Sequence, residues 1–202
     1  RVSRRNRLLG GGHAVQIHLN VVADAVIRHV TAAESAKKKT NDIPKIAAPK
    51  IDGKLDDSEW KGAIAGELVI AGSGAVPAER TRYWIGGDDK NLYIAFRCNE
   101  SNIKGIKTTF THEDNRDSAL YSDDCVEIFI DPFNDGISGK YQFIINSKGV
   151  FFDGYCGNKN FQSKLQRSCS VTANSWNVEI AIPYEDIGIS PKGAETFMLN
   201  LT

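Results

Sequence analysis

The stretch "RTRYWIGGDDKNLYIAFRC" (residues 80–98) decides the fold class of this chain. Two runs rich in Tyr, Trp, Ile, Leu and Phe flank "GDDKN" at 87–91, where Gly, Asp and Asn supply the positive φ or the local side-chain bonds of a tight reversal. The reading is a β-hairpin.

The same texture continues on both sides. "ELVIA" (67–71), "CVEIFID" (125–131), "KYQFIIN" (140–146), "GVFFDGYC" (149–156), "RSCSVTA" (167–173), "WNVEIAIP" (176–183) and "TFMLNL" (196–201) are short, β-branched or aromatic, and bounded by Gly, Pro, Asn or Asp. "NSKG" at 146–149 predicts a second hairpin, and "PYEDIG" at 183–188 a single helical turn opened by Pro and closed by Gly. No long helical segment separates the strands, as parallel βαβ units would require, so the expected fold is all-β: a two-sheet antiparallel β-sandwich, immunoglobulin-like or jelly-roll-like.

Before residue 46 the text differs. In "HAVQIHLNVVADAVIRHV" the apolar positions Val15, Leu19, Val22, Val26 and Val30 recur at steps of three or four, the stripe of an amphipathic helix, although its many β-branched residues lower helix propensity. "AESAKKKTNDIPKIAAPK" then reads as a linker punctuated by Pro44 and Pro49. Residues 1–45 are therefore taken as a helical or disordered N-terminal segment, and 46–202 as the folded domain. The chain opens on Arg and shows no signal peptide, and no run of eighteen apolar residues could span a bilayer.

Charge divides along the same boundary. Residues 1–39 hold eight Lys/Arg against Asp24 and Glu34, a net of +6, so the rest of this neutral chain carries −6. An acidic body argues against nucleic acid as partner, since phosphate contacts need clustered bases. Cys98, Cys125, Cys156 and Cys169 have no C-x-x-C spacing and so do not suggest zinc. Cys98 and Cys125, inside apolar runs, read as buried thiols, and a Cys156–Cys169 disulfide stays open.

"IDGKLDDSEW" (51–60), "DDKNLYIAFRCNES" (88–101), "DDCVEIFIDP" (123–132), "YQFIINSKG" (141–149), "WNVEIAIPYEDIG" (176–188) and "GAETFMLNL" (193–201), in this order and spacing, resemble the family 9 carbohydrate-binding modules, within the wider superfamily of DOMON-like sandwiches. The resemblance implies a non-catalytic sugar-binding module that needs no cofactor and often carries structural calcium. It implies an extracellular or periplasmic location and tethering to a larger secreted glycan-degrading protein. The family pattern continues past the strand matched by "FMLNL", so the last strand is expected to be truncated at Thr202.

Sugar recognition needs a flat aromatic face for the C–H side of the ring and a few fixed polar groups for its hydroxyls. Tyr121 matches a family position that stacks on sugar, and Glu127 a family carboxylate that accepts from hydroxyls; the alternatives are an edge-covering aromatic and a partner for Arg97. Gln142 and Asn146 share a strand face in the adjoining phrase; Asn146 matches a polar family position and alternatively serves the turn. The family's Arg falls at Ile144, so sugar specificity does not carry over. Trp84 is a further stacking candidate, whereas Trp60 and Trp176 read as core. Asp88, Asp89 and Asp131, with Asp56, Asp57, Asp123 and Asp124, offer the oxygen chemistry calcium prefers, or are solvated turn residues.

Three rivals remain. Glu127 and Asp131, four apart on one strand, would lie about 13 Å apart, too far for either glycosidase mechanism. A haem-binding electron carrier of DOMON type would draw on Met198 and His112. A spacer without ligand is the third.

Overall fold

The computed structural model of the chain describes residues 16–21, 40–191 and 196–202. Among them, β1 (Gln16–Val21), β2 (Thr40–Asp42), β6 (Cys125–Asp131), β7 (Tyr141–Asn146), β8 (Phe151–Tyr155) and β11 (Thr196–Leu201) make one sheet, in the order β2-β1-β11-β6-β7-β8. The other contains β3 (Ile64–Glu67), β4 (Thr81–Gly87), β5 (Asn91–Asn99), β9 (Gln166–Val171) and β10 (Ser175–Pro183), in the order β3-β4-β5-β10-β9. Every neighbouring pair is antiparallel except β1 and β11. The chain is an all-β sandwich.

Strand alternation builds the core. Val126, Ile128 and Ile130 of β6, Phe143 and Ile145 of β7 and Phe197, Leu199 and Leu201 of β11 meet Ile85 of β4, Ile94 and Phe96 of β5 and Val178, Ile180 and Ile182 of β10 in one buried cluster. The intervening residues therefore face outward. Both expected hairpins form, β4–β5 and β7–β8, and "PYEDIG" is a 3-10 turn closed by Gly188 at φ 67°.

Two expectations shift. Within the stretch read as an amphipathic helix, Gln16–Val21 is a strand lying parallel to β11, where it occupies backbone groups that would otherwise form an open sheet edge. The rest of that stretch lies outside the described residues. "ELVIA" contributes only Glu67 to β3, because the chain turns at Gly72 and Gly74, both at positive φ; Leu68 still enters the core.

Residues 43–60 tie the two sheets together. Ile43 joins the inter-sheet core, while Pro44 and Ile46 exchange backbone hydrogen bonds with Gly87 of β4. The chain then lies over the outer face of the second sheet, where Ile46 and Trp60 cover Trp84, Tyr93, Ala95 and Ala181. Glu179, outward on β10 and 0% exposed, holds this cover down. Its Oε2 accepts from the amides of Asp52 (3.1 Å) and Gly53 (2.7 Å), and its Oε1 accepts from the Trp60 indole (3.0 Å). Gly53, at φ 82°, approaches the Cys169 backbone so closely that a Cβ would stand 2.8 Å from its carbonyl carbon.

Removing the carboxylate by Glu179→Ala strands three donors. Urea unfolding should show a loss of roughly 3 kcal/mol or more, since each buried donor left without a partner costs about 1–3 kcal/mol.

Candidate functional site

On the outer face of the first sheet, β6 presents Cys125, Glu127, Phe129 and Asp131, and β7 presents Gln142, Ile144 and Asn146. Glu127 stands opposite Ile144 and is 9% exposed. Its Oε1 accepts a short hydrogen bond from Gln142 Nε2, and its Oε2 a 3.4 Å bond from Thr202 Oγ1. Among the described residues no cation pairs with it. Burial pushes its carboxyl above the ordinary glutamate range, and the bonds from Gln142 and Thr202 offset this only in part. Arg97, the base first considered as its partner, projects from the other sheet.

Tyr121 precedes β6 in the chain. It lies in a 3-10 turn, Leu120–Ser122, that packs on β7. Leu120, 0% exposed, sinks into a small apolar cluster with Ile144, Val150 and Phe152, and that anchoring leaves the next ring, Tyr121, 76% exposed. Leu120 thus packs on Ile144, which stands opposite Glu127 on the outward face of the first sheet. An exposed aromatic can stack on a sugar ring, and an outward carboxylate can accept from its hydroxyls.

Asp123 and Asn146 fix this arrangement. The Asp123 carboxylate accepts from the amides of Thr109 and Phe110 and from Asn146 Nδ2. Burial opposes its charge, but these bonds hold its carboxyl below the usual value. Asn146 is 0% exposed: its Nδ2 also donates to Phe110 O, and its Oδ1 accepts from the amides of Lys148 and Val150. Both amide donors and both acceptor positions are thus spent on the loops, leaving nothing for a ligand.

Trp84 is covered as well. It lies beneath Ile46 and Trp60 with the Arg82 and Arg97 guanidinium groups 4.8 Å and 5.6 Å from its ring, so its face is not open to solvent. Trp60 and Trp176 are buried, in the outer cluster and the inter-sheet core respectively. The carboxylates considered for calcium do not converge. Asp88 accepts from Lys90, Asn91 and Tyr93, Asp89 pairs with Lys45 at 2.6 Å, and Asp131, on the other sheet, accepts from the amides of Phe133, Asn134 and Gly136. Among the described residues no three His, Cys, Asp or Glu form a metal-ligating group.

Met198 stands opposite Asp131, whereas His112 follows the Phe110 loop that is bonded to Asn146, itself opposite Cys125. Six residues of β6, about 20 Å, separate those levels. All four cysteines are free thiols, Cys156 and Cys169 included. Burial pushes the Cys125 thiol up to about 12, with Glu127 adding to the effect. No local signal pointed to Thr202, which reaches Glu127 through the pairing of its backbone with residue 127, or to Asn200, whose buried Oδ1 has no partner among the described residues.

Among curated proteins, none matches this chain. Solved structures do. They include a family 9 carbohydrate-binding module from Caldicellulosiruptor kristjanssonii in complex with cellotriose (TM-score 0.52, 20% identity, 70% of this chain and 66% of that one). The same organism's module in complex with glucose gives 0.51, 19%, 70% and 67%. A protein from Bacteroides uniformis gives 0.60, 16%, 79% and 80%. The chain thus spans about two thirds of the first relative's length, and at these identities the likeness is one of fold. Residues 51–201 match the family described as "Carbohydrate family 9 binding domain-like", and the chain belongs to that family.

Proposed function

We propose that this domain is a non-catalytic carbohydrate-binding module whose ligand lies on the outer face of the first sheet, stacked on Tyr121 and hydrogen-bonded to Glu127 and Gln142. The observation that carries the reading is Glu127, an outward carboxylate that is 9% exposed and pairs with no cation among the described residues, on the face against which the turn bearing the exposed Tyr121 packs. A side chain kept there for stability alone would cost less as an amide. Family membership supports sugar as the ligand class, and the relatives bound to cellotriose and glucose make glucose units the first to try. The outward carboxylates Glu127 and Asp131 belong to one strand, with Asp131 spent on three amides, which supports binding over hydrolysis. The wider setting, a module tethered within a larger secreted glycan-degrading protein, rests on the family resemblance.

Affinity electrophoresis against a panel of soluble polysaccharides tests the reading. The parent chain should be retarded by at least one glycan, and Tyr121→Ala should lose that retardation while melting at the parent temperature. Free migration on every glycan would leave a spacer domain as the better account.

Glu127→Gln separates binding from stability. The Glu127 carboxyl is raised in the folded chain, so the stability it contributes is complete below its unfolded value and is lost as pH rises through the folded one. The amide variant should therefore melt above the parent at pH 7, the two curves should converge near about pH 4, and sugar affinity should fall about tenfold or more. Equal melting temperatures across the range would show that the carboxylate is not strained by burial.

A further inference from the structure

Among the described residues the sandwich has four strand edges, β2 and β8 in the first sheet and β3 and β9 in the second. β2 and β3 are three and four residues long, a length that by itself blunts pairing. β8 is sealed by its own flanking chain. The Asp117 amide donates to Phe151 O, the Asp153 amide to Asp117 Oδ1, and Tyr155 and Asn158 exchange backbone hydrogen bonds. β9, six residues long, has no such seal.

The register says which groups β9 leaves outward. The Thr172 amide donates to Ser175 O across the β9–β10 turn, so these two residues are a hydrogen-bonded pair. Antiparallel alternation then makes Ser170–Asn177, Ser168–Glu179 and Gln166–Ala181 the next such pairs. The N–H and C=O groups of Arg167, Cys169 and Val171 therefore point away from β10, and no hydrogen bond from the described residues reaches them. The Arg167 and Cys169 side chains turn into the sandwich, donating to Gly149 O (2.7 Å) and Asn146 O (3.6 Å). Arg167, the only charge on the strand, is answered there by Glu113. With neither proline nor lysine along it, β9 lacks the usual devices that keep a free edge from pairing.

We propose that two copies of this chain associate through β9, antiparallel about a two-fold axis beside Cys169, so that the two five-stranded sheets join into one. A second copy is the occupant because β9 is complementary to itself in one register. With Cys169 opposite Cys169 of the second copy, Arg167 falls opposite Val171 at both ends, and every outward N–H and C=O of the two strands meets a partner. Ser168 falls opposite Ser170 on the outer face, a hydroxyl pair that sheets favour, and no like charges face each other. A slip of the register carries outward groups past the end of the other strand. The contact lies on the opposite sheet from Tyr121 and Glu127 and does not depend on the sugar-binding reading of that face.

Sedimentation equilibrium of the full chain over a dilution series tests the proposal. The parent should show a reversible equilibrium between one chain and two. Val171→Lys sets a lysine opposite Arg167 of the second copy at both ends of the contact and should raise the dimer Kd about tenfold. Val171→Glu sets a carboxylate there instead and should lower the Kd severalfold. Val171 is 43% exposed, so both variants should keep the far-ultraviolet circular dichroism of the parent. A parent that sediments as a single chain at every concentration overturns the proposal. So does a dimer no weaker in Val171→Lys than in Val171→Glu, since its contact would lie elsewhere.

Discussion

One carboxylate, Glu179, joins the parts of this sandwich that strand pairing alone would not. It is fully buried, forms no ion pair among the described residues, and is tolerable there because two backbone amides and an indole N–H point at its oxygens. Those donors belong to residues 52, 53 and 60, so satisfying the charge and laying the segment over Trp84 and Tyr93 are one event. Without that cover, the outer face of the second sheet would expose aromatic surface. A cleft at Lys54 and Arg97 exists where the cover stops short of the sheet's end.

Each sheet thus has one outward buried glutamate, and the contrast between them separates structure from function. Glu179 receives three donors from distant parts of the chain, whereas Glu127 receives only side chains, Gln142 and Thr202. Both carboxyls are pushed up by burial. The one held by two side chains alone lies on the face against which the turn bearing the exposed Tyr121 packs. Asn146 and Asp123 stand behind it, holding the loop before β6 so that Leu120 is buried and Tyr121 is not.

Most of the fold was legible in the sequence because strands of this kind declare themselves locally. "CVEIFID" and "TFMLNL" match β6 and β11 residue for residue, and "GDDKN" turns where Asp88 bonds the amides of Lys90 and Asn91. Gln16–Val21 misled because its apolar spacing permits two periods, and the deciding partner, β11, lies some 180 residues away. The site was legible only in part. Asn146 serves its turn through the amides of Lys148 and Val150, as one reading allowed, but nothing local shows that its two donors are spent on residues 110 and 123. Trp84 presents the same difficulty, since its cover comes from residues 46 and 60. Thr202 and the edge of β9 gained meaning only from the register of β11 and β10.

The way residues 40–46 cross between sheets bears on how the domain carries load. β2 is bonded into the first sheet, and a few residues later the Gly87 pairing fastens the same chain to the second. A pull transmitted from the N-terminal side along this path would shear two sets of hydrogen bonds at once instead of unzipping a single hairpin. That makes residues 40–46 a mechanical clamp between the two sheets.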